Sequence, residues 1–202
     1  NASAKVFTDI EIIGTPKYDA EGRVTDSTTK ILGNNYVGGV AGHTHQKVGT
    51  AYIANKSEPN LNANGVVVGG LNRIGGAFGG TYTSMFHLTV QNALVKTRTD
   101  LLKNTTTYTS IGGLIGETTY SQTRDLYADN IVVDAINTNY VGGIGGMIRV
   151  ASMQFCYVNN CIIKGSEAVG FPDNVRLSNV GGITGMYENK MYYSGVMNTV
   201  IN

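Results

Sequence analysis

Two neighbouring histidines, three aspartates and five tyrosines are the residues of this chain whose types and spacing could do chemistry. His43-Thr44-His45 puts two imidazoles on one side of an extended segment, as metal sites often do. A zinc site needs three or four ligands, and the only other histidine, His87, is far away in sequence. No metal and no other cofactor is expected. Asp125, Asp129 and Asp134 form the densest acidic cluster, and paired carboxylates about 5 to 9.5 Å apart hydrolyse glycosides. Lyases instead need basic residues, and Arg124-Asp125 could serve either scheme, while a solvated rim is the plainer reading. Tyr82, Tyr120, Tyr187, Tyr192 and Tyr193 follow glycine motifs. A tyrosine offers a flat apolar body with a polar tip, suited to stacking on a sugar ring; packing between layers of the fold is the plainer role. Cys156 and Cys161 lack C-x-x-C spacing, which leaves a pair of small buried hydrophobes or a local disulfide.

The elements that must position these residues are announced by a repeat. An apolar residue, Gly-Gly, two further residues and another Gly recur as Val37 to Gly42, Ile74 to Gly79, Ile111 to Gly116, Val141 to Gly146 and Val180 to Gly185. The first glycines, at 38, 75, 112, 142 and 181, lie 37, 37, 30 and 39 residues apart. Such self-similarity marks a stacked architecture in which each unit buries its apolar face against its neighbours. Asn92, Asn130, Asn160 and Asn198 trail the last four pairs by 17 or 18 residues, each before a short apolar run. One half of the unit is thus fixed and the other tolerates insertions. In the first unit, Asn55 stands at the expected distance but the apolar run comes later, at Val66-Val67-Val68, so residues 55 to 65 read as a bulged loop.

Gly pairs oppose helix, and the apolar runs are short and rich in Val and Ile. Residues 91 to 103 have a tolerable helical composition, but the phase of Asn92 makes them strand and loop. Glycines at a fixed phase, serving at corners through positive φ and at places of close backbone approach, favour a parallel β-helix over a sandwich. Asn suits the left-handed corner and can form amide ladders between neighbouring strands. The expectation is an all-β, single-domain parallel β-helix (β-solenoid) spanning residues 1-202, with turn repeats of about 30-39 residues, as a segment of a longer protein. Division of the unit near its middle suggests two coils per repeat, hence about ten coils in a rod near ~50 Å long; one larger coil per repeat would halve that.

Composition agrees with a strand-rich body. Gly (27 residues), Asn (20) and Thr (22) abound, and charged residues are only 14%, well under the usual share of roughly 25%. A net charge of +1 with scattered Lys and Arg gives no footprint for nucleic acid. No apolar run is long enough to span a bilayer as a helix.

Ile111-Gly112-Gly113-Leu114-Ile115-Gly116 resembles the GLUG motif, a Gly-Leu-apolar-Gly repeat of bacterial surface and secreted proteins that also occurs upstream of immunoglobulin A peptidase domains. Phe155 to Cys161 is similar to the linker between such repeats. The likeness extends over most of the chain from Gly38 onward, with Ala77-Phe78, Ile183-Thr184 and Gly145 as departures. It implies an extracellular module, secreted or on the cell surface, of adhesin-like or spacer character, with a host protein or glycan and other domains of its own protein as partners. It brings no catalytic residues, and the H-E-x-x-H helix of the peptidases is absent from this sequence. The expectation is a non-enzymatic module; the alternative is a carbohydrate-active enzyme, glycosidase or lyase, or its accessory domain.

Overall fold

A computed structural model describes residues 6–7, 10–45, 47–48, 61–102, 109–119, 122–149, 152–166 and 179–202. Asn55 and Tyr120 lie outside the described residues. Most of the described chain is strand, and its one helical element is the short 3-10 turn Thr99–Leu101. No helix of the described residues is long and apolar enough to cross a membrane.

The glycine repeat becomes register. Asn35–Gly38, Asn72–Gly75, Ser110–Gly112, Tyr140–Gly142 and Asn179–Gly181 pair in parallel as one five-stranded sheet. Ala41–Thr44, Phe78–Thr81, Ile115–Thr119, Gly145–Arg149 and Thr184–Tyr187 form a second. The long strands Met85–Thr97 and Gln122–Ile136 are the centre of a third, followed by Ser152–Asn159 with Ile162–Ser166 and then by three short strands from Lys190 onward. In all three sheets a strand is paired with its counterpart one whole repeat away. Each repeat therefore supplies one layer to every sheet, and the expected two layers per repeat are corrected to one. The Asn does not halve the unit; Asn92 and Asn130 turn a corner inside one long strand, and Asn160 and Asn198 lie between two strands of the same sheet.

The motif glycines exist for approach, not for unusual backbone. None of them has a left-handed φ. A Cβ on Gly112 would overlap the carbonyl oxygen of Ile115 and the backbone of Gly145, and one on Gly113 the carbonyl of Gly143 in the next layer. The last glycine of the motif, as at Gly116, lies against the backbone of Arg73 and Ile74 in the adjoining sheet. The chain folds back so tightly that consecutive bends hydrogen-bond to each other. Gly76 donates to Gly113 at 3.0 Å, Ala77 and Phe78 both donate to Leu114 at 3.0 Å, and the next bends repeat the pattern. Buried amides are thus paired even where the chain is not strand.

Positive φ falls instead on the trailing asparagines. Asn92, Asn130, Asn160 and Asn198 have φ of 48, 50, 51 and 47°, and the flanking register sets them opposite one another. Asn92 Nδ2 donates to Asn64 Oδ1 at 3.0 Å and Asn130 Nδ2 to Asn92 Oδ1 at 2.8 Å. In the first unit the corner is Gly65 (φ 67°), between the strands Leu61–Asn64 and Val66–Gly70. Residues 61–64 are therefore strand, where a loop was expected.

Between the sheets the apolar positions stack in columns: Val37, Ile74, Ile111 and Val141, or Val90, Ala128 and Val158, each 5% exposed or less. Cys156 and Cys161 lie in this core as free thiols. Cys161 Sγ donates to the Asn159 carbonyl at 3.1 Å and accepts from the Ile131 amide at 3.4 Å. One layer on, Thr199 takes the same place, with its Oγ1 donating to Met197 and accepting from the Cys161 amide. Ser194 does likewise beyond Cys156. The cysteines thus cap corner amides as Ser and Thr do.

Two outcomes follow for stability. Gly112→Ala forces backbone apart and lowers stability on the order of 3 kcal/mol, read as a drop in Tm. Cys161→Thr keeps Tm within a degree or two, whereas Cys161→Val, of similar size, orphans the Ile131 amide and costs about 1–3 kcal/mol.

Candidate functional site

Five residues before each corner asparagine the backbone is left-handed again, and there the side chains are large. His87, Asp125, Phe155 and Tyr193 have φ of 55, 56, 53 and 48° and occupy equivalent register positions. Asp tolerates this conformation, but a bulky aromatic in it costs roughly 1–3 kcal/mol, and such strain collects at functional positions. The side chains face away from the core. Phe155 and Tyr193 are stacked, with ring centroids 5.2 Å apart and planes 10° from parallel. Arg124 lies over the Phe155 ring at 5.7 Å, and its Nε donates to Asp125 Oδ2 at 2.8 Å. His87 Nδ1 is 3.6 Å from the same carboxylate oxygen.

Alternation along the strands puts more aromatics on this face. Phe86, Arg124, Gln154 and Tyr192 share one register line, and Thr89, Tyr127, Tyr157 and Gly195 another. Tyr192 is 6.4 Å from Tyr193, centroid to centroid. Tyr193 is 72% exposed, with Phe155 stacked on it. Beside the rings runs an amide and carboxylate line: Asn159 Nδ2 donates to Asp129 Oδ1 at 3.0 Å, and Asn198 Nδ2 to Asn159 Oδ1 at 3.2 Å. Aromatic faces flanked by fixed donors and acceptors suit a ligand with an apolar ring face and peripheral hydroxyls.

The five tyrosines singled out in the sequence are not one cluster. Tyr192 and Tyr193 join this face. Tyr187 packs against the core and its hydroxyl donates to the Lys190 carbonyl; burial pushes its phenol above the ordinary value, as befits a packing residue. Tyr82 stands in a second patch, stacked on His45 at 5.1 Å and edge-on to His43 at 5.0 Å. Tyr36 fills the notch left by Gly80, 4.7 Å from His43, and Arg73 lies over its ring while pairing with Glu117.

His43 and His45 do come together, with centroids 4.8 Å apart, but among the described residues no group of three metal-binding side chains forms. Asp125, Asp129 and Asp134 all lie on the strand Gln122–Ile136. Asp125 serves Arg124, Asp129 serves Asn159, and Asp134 lines a separate groove. Burial raises the thiol pKa to about 12 for Cys156 and about 11 for Cys161, so neither presents a thiolate. Phe86, Tyr127, Phe155 and Tyr157 were missed by reading forward from the glycines. Counting backward from each corner Asn by five and by three puts Phe155 and Tyr193, then Tyr127 and Tyr157, in phase.

No protein-family model matches the chain, and no curated protein and no solved structure matches it.

Burial, then the neighbouring His45 and Arg73, lowers the His43 pKa below 6.5. The folded protein therefore holds its proton less tightly than the unfolded chain, and the stability that neutral His43 contributes is lost as pH falls below the ordinary imidazole range. NMR titration is expected to show a midpoint for His43 below 6.5, and His43→Gln to flatten the fall in Tm between neutral and mildly acid pH.

Proposed function

We propose that this chain is a non-enzymatic β-solenoid module of the GLUG-repeat kind, exported by a bacterium and displayed or secreted, that binds carbohydrate through the aromatic face around Phe155, Tyr157, Tyr192 and Tyr193. The solenoid reading is supported by three parallel sheets whose pairings all shift by one repeat. The extracellular reading rests on the likeness of the glycine motif and on a surface of Thr and Asn rather than charge.

The observation that carries carbohydrate binding is the strained backbone under the rings. Asn fills the other corner of the same layers at little cost. Phe155 and Tyr193 take the left-handed position at a penalty, and one of them is the most exposed large hydrophobic residue of the described chain. That combination favours a ligand surface over packing.

A glycan array followed by calorimetry on the best hit tests this. Tyr193→Ala and Tyr157→Ala are each expected to weaken binding about tenfold, in line with the ~0.5–1.5 kcal/mol of an aromatic pair. Tyr193→Asn is the sharper variant: it relieves backbone strain, so Tm holds or rises while affinity falls. Absence of any glycan ligand, or binding by both alanine variants as tight as by the unsubstituted protein, overturns the proposal.

A further inference from the structure

On the outward side of the long sheet a second feature stands apart from the rings. Residues 16–27 form an antiparallel hairpin, Pro16–Tyr18 with Val24–Ser27. It lies on an outward apolar column in which Val67, Leu94, Val132, Ile162 and Val200 share one register line. Val24 packs onto Val67 and Leu94, with Val132 at the edge of the cluster. The column is therefore covered at one end, and Val200 at the other is 51% exposed.

Beside the hairpin this leaves a groove of about 300 Å³, at the small end of ligand sites, which run from about 300 to 1,000 Å³. Its floor is apolar, from Leu94, Val132 and Ile162. Its walls carry Arg23, Lys96 and Lys164, with Asp134 in register between the two lysines. Asp19, at the hairpin end of the lining, accepts the Glu21 and Arg23 amides on Oδ1 at 3.1 and 2.8 Å and is the groove's second carboxylate. Across the hairpin Lys30 is paired with Asp26 at 2.6 Å and Arg98 with Asp100. Among the described residues Arg23, Lys96 and Lys164 are in no ion pair, so three cations meet two carboxylates, Asp19 and Asp134, over an apolar floor, an excess of one positive charge.

We infer that this groove is a subsite for an acidic sugar, holding the carboxylate or sulfate between Lys96, Lys164 and Arg23 while one face of the sugar ring lies on Val132 and Ile162. The inference rests on the carbohydrate-binding reading and adds the class of glycan. Lysine is suited to this as a mobile point charge that can swing onto an incoming anion. Asp134, in register between the two lysines, opposes an anion and so moderates the affinity.

Calorimetry at low ionic strength with an oligogalacturonate, a sulfated oligosaccharide, a neutral oligosaccharide of matched length and inorganic sulfate tests it. One or both acidic oligosaccharides are expected to bind, with the better one naming the anion, and inorganic sulfate at least tenfold more weakly because it lacks the ring. The double variant Lys96→Gln/Lys164→Gln, checked for native circular dichroism, is expected to lose at least tenfold in affinity. Asp134→Asn is expected to tighten binding several-fold. Failure of both acidic oligosaccharides to saturate, sulfate binding as tightly as they do, or equal affinity in the double lysine variant overturns the subsite. Loss of neutral-glycan binding in Tyr193→Ala speaks only to the aromatic face, so the two readings fail separately.

Discussion

Backbone contact without side chains is the constraint on which the rest of this molecule depends. At each motif the chain reverses so closely that its own carbonyls and those of the neighbouring layer occupy the space a Cβ would take. Once the bend is that tight, its amides reach the adjoining bend and pair with it. The same geometry aligns Ile74, Ile111 and Val141 in one buried column and Ala77, Leu114 and Ile144 in another. Hydrogen bonding and apolar burial are thereby satisfied by one repeated act of folding.

The second constraint is the corner. A strand of thirteen or fifteen residues, such as Met85–Thr97 or Gln122–Ile136, turns twice without leaving its sheet because one residue at each turn is left-handed. Each such turn disturbs the pairing of a nearby amide. Ser194, Thr199 and the two cysteines repair that locally with side-chain groups. At the first corner the molecule also tolerates aromatic residues whose backbone preference is elsewhere, and that is where its outward chemistry collects.

Much of this could be read from the residues. The five glycine motifs gave the register of two sheets, because a position that must lack a Cβ has to be filled by Gly in every layer. The asparagines marked a true column for a related reason: few other residues sit comfortably at φ near 50°. What misled was the spacing between the two markers, since a left-handed corner within a strand and a break between strands leave the same trace in a sequence. The hairpin at residues 16–27 precedes the first motif copy and runs antiparallel, so no phase announces it. The aromatic face was half visible, as Tyr192 and Tyr193, because the residues that complete it are scattered over three layers and become neighbours only through pairing.

The connections between the long sheet and the next glycine strand differ in length. Twelve residues, 98–109, separate Thr97 from Ser110 along the chain, whereas residues 137–139, residues 33–34 and residue 71 are enough between other such strands. Strand pairing beside residues 137–139, Ser110 with Tyr140 and Tyr140 with Asn179, is as regular as elsewhere. The molecule thus contains its own deletion experiment: a single residue, Leu71, is enough to carry the chain from the long sheet to the next glycine strand. Stacking therefore sets no length for this connection, and its length is left open to whatever else acts on the molecule.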